Sequence, residues 1–153
     1  MTQLAAFIAA LTFCVVSHAA PAFEFPGFVF GEYRLKQPIC FYTSVGPGVE
    51  CEGFAYDTIA IEKKTSTVAY VGVTLMFQNA EMCHFHGVGR WNGKFLIASD
   101  RTYDERVCRL RISLENNHAR VLEANDACSE FCAYHGSLGF TRSLPRRMER
   151  SAP

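Results

Sequence analysis

Apolar and polar residues alternate with a period of two along most of this chain, which is the pattern of half-buried β-strands. The alternation is clearest at residues 107–114, where one cysteine and three aliphatic residues interleave with mostly polar positions. Residues 23–30 are predicted to be an edge or entry segment, because Pro26 cannot donate a ladder hydrogen bond. Further strands are predicted at 33–35, 39–43, 57–63, 68–77, 82–90, 94–98 and 119–123.

Turn signals separate the predicted strands. The strongest is Asn92-Gly93, because a type I′ hairpin requires a positive φ at both central residues. Residues 45–48 and the pair Asn116-Asn117 are also predicted to turn, and 127–131 is the one predicted helical turn. Eight or nine short strands with polar turns predict an all-β fold, a small antiparallel β-barrel or sandwich of about eight strands braced by disulfides.

The N-terminus carries an uncharged apolar run at residues 4–16, followed by small residues. This run predicts a signal peptide cleaved after Ala19, and it is shorter than the ~20 residues that span a bilayer. We therefore expect residues 1–19 to be removed and 20–153 to form a single β domain with a basic C-terminal tail. The expected location is the periplasm or the outside of the cell, with no transmembrane segment.

Export changes the interpretation of the cysteines. Six of the seven follow the predicted cleavage site, and in an oxidising compartment they are expected to form disulfides rather than catalytic thiols. Six cysteines allow fifteen pairings, which sequence alone does not resolve. Proximity along the predicted strands favours Cys40–Cys51, Cys128–Cys132 and, for the remaining two, Cys83–Cys108.

Charge and motifs argue against several function classes. Fifteen basic and fifteen acidic residues balance, so no global field favours nucleic acid or an anionic membrane as partner. The only basic cluster is at the C-terminal end, where a solvated tail is favoured over a docking patch for an acidic partner; its members are Arg142, Arg146, Arg147 and Arg150.

No catalytic motif is convincing. His135-Gly136-Ser137 lacks the Gly-x-Ser-x-Gly elbow of acyl-transfer enzymes, and the mixed charges at 100–106 favour a solvated loop over paired catalytic carboxylates. Cys128 and Cys132 do not have the spacing of a redox motif. The sequence therefore predicts a protein that is not an enzyme and needs no cofactor.

His84 and His86 flank one residue on a predicted strand, so both side chains point the same way and could hold an ion with a third ligand. Two histidines on a strand are more often part of a polar face, and no metal site is predicted. A set of aromatic residues could line a ligand pocket, although most are expected in the core: Phe85, Trp91, Tyr103, Phe131, Tyr134 and Phe140.

A resemblance is carried by the cysteines and their apolar neighbours. The segments concerned are 57–61, 75–79, Cys83 with Gly87-Val88, 108–112 and 128–132. Together they resemble small exported bacterial proteins of the periplasmic lysozyme-inhibitor-like group, over residues 57 to about 142. In that group the domain ends in Cys-x-x-Tyr-Cys-Gly, whereas this chain has Phe131 and Ala133 in place of the Tyr and the Gly.

The leading functional hypothesis is an exported, non-enzymatic binding protein that inhibits, or gives immunity to, a lysozyme or another peptidoglycan hydrolase. A loop with an arginine could enter the cleft of such an enzyme and pair with its acidic catalytic residues. The predicted target contacts are His135, Ser137 and Arg142. The alternatives are a barrel that carries a small apolar ligand, and a secreted factor that acts on host cells.

Overall fold

A computed structural model describes residues 22–42, 48–77, 80–134, 136–139 and 142–147. The predicted signal peptide lies outside the described residues. The described part of the chain is mostly β-strand. The strands are β1 (Gly31–Tyr42), β2 (Val49–Lys63), β3 (Ala69–Met76), β4 (Met82–Trp91), β5 (Leu96–Arg101), β6 (Val107–Glu115), β7 (His118–Ala124) and β8 (Leu144–Pro145). Short 3₁₀ segments occupy Gly27–Val29 and Asp126–Phe131, and the second confirms the predicted helical turn.

Each strand pairs antiparallel with the next in one eight-stranded sheet. The sheet curls until its ends meet, because β8 pairs with β7 and Arg146 bridges to Tyr33 on β1. Next to that bridge, the Arg147 N–H donates to the Glu32 carbonyl at 2.8 Å. The structure is therefore a nearly closed antiparallel β-barrel, and the predicted fold class is confirmed.

The inward-pointing side chains of the strands, which alternate with outward-pointing ones, fill the barrel interior. Phe85 is fully buried and packs edge-on against Phe131, with ring centroids 5.4 Å apart. A methyl group added at Gly89 would lie 2.7 Å from both Leu96 and Val71, which is too close for any real contact. The interior is closely packed at this point. The hypothesis of an apolar ligand carried inside the barrel stays a prediction.

The aromatic residues predicted to line a pocket are not brought together. Phe85 belongs to the core, and Trp91 and Phe131 pack against it partly buried. Tyr103 and Tyr134 are almost fully exposed, and Phe140 lies outside the described residues.

Two strand predictions needed correction. The predicted strands 33–35 and 39–43 form, over their described residues, the one continuous strand β1, and β2 begins at Val49 rather than at residue 57. The cause is mutual pairing, because the two segments form one long ladder that supports residues with weak strand patterns of their own. Residues 27–29 are 3₁₀ rather than strand, and most of the turn predicted at 45–48 lies outside the described residues.

The predicted type I′ geometry is absent at Asn92-Gly93, and the turn with a positive φ at both central residues is Asn116-Asn117. Asn92-Gly93 does connect β4 and β5, but only Gly93 has a positive φ, because the Asn92 side chain accepts hydrogen bonds from the backbone of Lys94 and Phe95. Asn116 and Asn117 have φ values of 51° and 60°, the values of a type I′ turn. At Asn92-Gly93 the turn is therefore stabilised by hydrogen bonds to the Asn92 side chain and does not adopt the type I′ backbone conformation.

Three disulfides are present, and two of the predicted pairings are wrong. Cys40–Cys51 is confirmed, whereas Cys83 pairs with Cys132 and Cys108 with Cys128. Cys83 on β4 and Cys108 on β6 are separated by β5, so the two interstrand spacings between them, roughly 10 Å, already exceed the Cα–Cα reach of about 7 Å for a disulfide.

The segment after β7 brings each remaining cysteine to its partner. The Ala133 N–H donates to the Met82 carbonyl at 2.9 Å, which places Cys132 beside Cys83. The Asn125 side chain accepts from the Arg109 N–H at 2.8 Å, which places the start of the 3₁₀ segment beside β6. This segment is therefore held to β4 and β6 by one disulfide each.

Candidate functional site

β1 and β2 extend beyond the barrel as a two-stranded hairpin. They pair from Gly31–Ile61 to Tyr42–Val49, whereas among the described residues β2 pairs with β3 only at 58–63. Residues 36–42 and 49–56 form what we call the hairpin arm. At about 3.3 Å per residue, its seven-residue strand is roughly 20 Å long.

A two-stranded ribbon is only marginally stable in water, and this one is braced at two levels. The Cys40–Cys51 disulfide links its strands across the ladder. Nearer the barrel, the Gln37 side-chain amide donates to the Met76 carbonyl of β3 at 3.1 Å. Between them the ladder shifts register opposite Gly53, whose φ of 70° favours glycine. The disulfide joins the two strands of the arm, and the hydrogen bond ties the arm to the barrel.

The outward side of the arm is apolar. The ladder places Pro38 opposite Phe54 and Tyr42 opposite Val49, and both aromatic side chains are more than 60% exposed, Phe54 at 63% and Tyr42 at 61%. Further exposed apolar side chains lie on the outside of the barrel on β2, β3 and β4, with His84 and His86 between those of β4. We call the whole surface the aromatic face; its members are Tyr42, Val49, Phe54, Tyr56, Tyr70, Met82 and Val88.

Cations cover several of these rings. The Lys36 ammonium lies 3.9 Å from the Phe54 centroid, and the Arg34 guanidinium lies 4.8 Å from the Tyr56 centroid. Lys64 covers Tyr70 in the same way at 4.6 Å. A cation over an aromatic ring buries its aliphatic stem but keeps its charge in water. Exposed acids lie on β2 as well, at Glu50 and Glu52 in the arm and at Glu62 opposite Tyr70, so charges of both signs surround the rings.

The other half of the barrel surface differs. On β6 and β7 the exposed side chains are mainly charged, and Arg111 forms an ion pair with Glu123 at 3.0 Å. Exposed apolar side chains that cluster on one side of a small domain are typical of a binding site, whereas an evenly charged side is typical of solvent exposure. The asymmetry makes the aromatic face and the hairpin arm the candidate functional site.

The three predicted contact residues have different surroundings. His135 lies outside the described residues. Ser137 is exposed, and its hydroxyl oxygen accepts from the Gly139 N–H at 3.2 Å. Arg142 donates to the buried Asp57 carboxylate at 3.2 Å, at the point where β2 leaves the barrel. Arg142 therefore supports the base of the arm, and its role as a target contact stays a prediction.

The neighbouring arginines also have partners in the barrel. Arg146 donates to the Phe30 carbonyl at 2.6 Å, and Arg147 pairs with Glu32 at 3.1 Å. Both contacts lie at the seam where β8 meets β1. Arg150 lies outside the described residues. The cluster that the sequence suggested to be a solvated tail thus helps to close the barrel.

The acidic loop after β5 is an ion-pair network. Arg106 binds both Asp104 and Glu130, and Thr102 donates its hydroxyl hydrogen bond to Asp104. The hydrogen bonds from Thr102 and then Arg106 hold the pKa of the Asp104 carboxyl well below its usual range. A carboxylate that stays ionised in this way is a poor general acid, in agreement with the expectation of a structural loop.

Sequence reasoning missed the arm, although one signal for it was present. Two cysteines eleven residues apart around a turn, Cys40 and Cys51, define a hairpin that is long for a barrel of this size. The exposure of its aromatic residues depends on where β2 leaves β3, which no local pattern indicates.

Comparison with known proteins adds no identity, since no family model, curated protein or solved structure matches this chain. The resemblance to lysozyme-inhibitor-like proteins therefore stays a prediction. Within the described residues, no helix is long and apolar enough to cross a membrane.

Proposed function

We propose that this chain is an exported, non-enzymatic binding protein that inhibits a peptidoglycan-cleaving enzyme by inserting the hairpin arm into its cleft. The observation that carries the proposal is the disulfide-braced arm, whose aromatic side chains face solvent. Three disulfides support an oxidising compartment such as the periplasm or the cell exterior.

Exposed aromatic residues supply binding energy efficiently. Tyrosine and phenylalanine bury a large area on association and lose few rotamers, and interface hot spots are enriched in such anchors. Phe54 and Tyr42 have this exposure in the unbound protein. Because the Cys40–Cys51 bridge already orders the arm, binding costs less conformational entropy than it would for a flexible loop.

The shape of the arm and the two cations over its rings favour a cleft as its target. Two paired strands are narrow, with backbones about 4.8 Å apart, and enzymes that cleave glycan chains bind their substrate in an elongated groove. These enzymes use a pair of carboxyl groups in that groove. Lys36 and Arg34 would bring positive charge to these carboxylates while Phe54 occupies apolar subsites.

The sequence-predicted contacts fit this proposal as a second contact region. Arg142 lies at the base of the arm through Asp57, and Ser137 is exposed on the segment that precedes it. The loop that contains His135 would then contact the rim of the cleft while the arm enters it.

The test is a turbidity assay of peptidoglycan lysis by several lysozymes and bacterial cell-wall hydrolases, with oxidised protein as inhibitor. Phe54→Ser and Tyr42→Ser should each weaken inhibition by roughly tenfold or more, as expected for hot-spot residues. Tyr103→Ser is the matched control, because Tyr103 is a fully exposed aromatic residue in the loop between β5 and β6.

The outcomes are distinct. Inhibition that is lost in both arm variants and kept in the control supports the proposal. Inhibition that survives both arm variants would exclude the arm as the contact surface. The absence of inhibition against the whole panel would refute a hydrolase as the target.

A further inference from the structure

The outer side of β4 carries two histidines whose rings converge. His84 and His86 are both exposed, and their Nε2 atoms are 2.7 Å apart. The rings meet edge to face, with centroids 4.4 Å apart and an interplanar angle of 75°. The two Nε2 atoms therefore face each other on the outer side of the strand.

The neighbouring strand orients both rings. Thr74 pairs with His84 in the β3–β4 ladder, and its hydroxyl lies 3.0 Å from His84 Nδ1. When the Nδ1–H donates to this hydroxyl, the Nε2 lone pair is left free on the side that faces His86. A hydrogen bond of this kind to the far ring nitrogen is what orients histidines that bind metals.

A glycine lies under the second ring. Gly72 pairs with His86 in the same ladder, and a Cβ atom at Gly72 would meet the His86 ring atoms Cε1 and Nδ1 at 3.4 Å, an ordinary van der Waals distance. The His86 imidazole therefore lies against β3, with its Nε2 directed towards His84. Both supports depend on the register of β3 and β4, which the sequence does not reveal.

We propose that His84 and His86 form a binding site for a divalent transition-metal ion, of the class of Zn²⁺, Ni²⁺ and Cu²⁺. Imidazole nitrogen suits these ions, at metal–nitrogen distances of about 2.0–2.1 Å. Two such ligands at a right or tetrahedral angle are about 2.9–3.4 Å apart. The present separation of 2.7 Å reaches that range through small ring rotations.

The site is an open one. Within the described residues, no three His, Cys, Asp or Glu side chains converge as metal ligands, so the remaining positions on the ion are occupied by water or by a ligand from outside. Open sites exchange their ion and external ligands, unlike closed structural sites. Met82 and Val88 lie on the same side of β4, so the ion is bound on the aromatic face. The inference does not depend on the identity of the proposed target.

The test is calorimetric titration of untagged, oxidised protein with Zn²⁺ and Ni²⁺. One ion should bind per chain, and His84→Gln and His86→Gln should each weaken binding at least tenfold. Thr74→Val should weaken it by roughly tenfold, as expected when a ligand loses its orienting partner. His118→Gln is the matched control, since His118 is an exposed histidine on β7 that contacts only the Asn116 carbonyl among the interactions described.

Thermal unfolding of the metal-free variants checks that each retains the wild-type fold, as expected for exposed positions. An absence of binding to the wild-type chain would overturn the inference and leave a hydrogen-bonded polar pair. Binding that persists in the His84→Gln/His86→Gln double variant would also overturn it, because the ion would then be held elsewhere.

Discussion

The ion pair at the base of the hairpin arm allows a quantitative prediction about Arg142. Asp57 is 1% exposed, and its carboxylate accepts from Arg142 at 3.2 Å and from the Met76 N–H at 2.7 Å. Arg142→Ala removes the positive charge and leaves a buried carboxylate with the backbone N–H as its remaining described partner. The free energy of unfolding should therefore fall.

The size of the effect depends on exposure. Breaking a fully buried ion pair costs about 3–5 kcal/mol, but the Arg142 side chain is 35% exposed and water screens the pair. We therefore expect about 2 kcal/mol, within the range for a lost hydrogen bond to a charged group. In a domain of this size, that corresponds to a Tm lowered by roughly 6 °C.

The assay is thermal and urea unfolding of oxidised protein, followed by circular dichroism. Arg120→Ala is the matched control, because Arg120 is an exposed arginine on β7. Combining Arg142→Ala with Asp57→Asn should cost less than the sum of the single changes, since each removes the same interaction. Surface substitutions change stability only slightly. A Tm for Arg142→Ala within about 1 °C of that of the control would therefore place Arg142 among them and refute the reasoning.

Three further predictions concern the arm, the core and the acidic loop. Replacing Cys40 and Cys51 by serine should lower the free energy of unfolding by less than the ~3 kcal/mol expected from loop closure, because the bridge lies outside the barrel. Hydrogen exchange should show lost amide protection at 36–42, and unchanged protection there would contradict the prediction. Gly89→Ala should destabilise by about 1–3 kcal/mol through overpacking, and an unchanged urea midpoint would show that the core can relax. The folded-state pKa of Asp104 is depressed, so the small contribution of this carboxylate to stability is present above the ordinary aspartate pKa and is lost as the pH falls towards the folded-state pKa. Thr102→Val should raise the pKa of Asp104 in an NMR titration. The same Asp104 pKa in both proteins would rule out the Thr102 hydroxyl as the cause of the depression.

These predictions rest on features that differ in how far the sequence anticipated them. Strand β6 matches the predicted residues 107–114 to within one residue, because its buried and exposed positions alternate without interruption. The hairpin at Asn116-Asn117 was anticipated for the same local reason, and so was the Cys40–Cys51 bridge, whose members flank one turn. A feature encoded within about ten neighbouring residues could be predicted.

The candidate site depends on longer-range relations. Nothing near Arg142 in the chain indicates that it pairs with Asp57, 85 residues earlier. The convergence of His84 and His86 depends on Thr74 and Gly72 lying opposite them, which requires the register of β3 against β4. These arrangements could not be predicted from local pattern.

By itself, the sequence determined that this protein folds as an antiparallel β structure of about eight strands with a disulfide-braced hairpin, because side chains of a strand alternate between two faces whatever the strand pairs with. Only the tertiary structure decided that Cys83 pairs with Cys132 and Cys108 with Cys128, since bridging requires closeness in space and β5 separates the partners that the sequence favoured. It also decided that Phe54 and Tyr42 face solvent, because β2 leaves β3 at Thr58 and no third strand covers the described part of the arm.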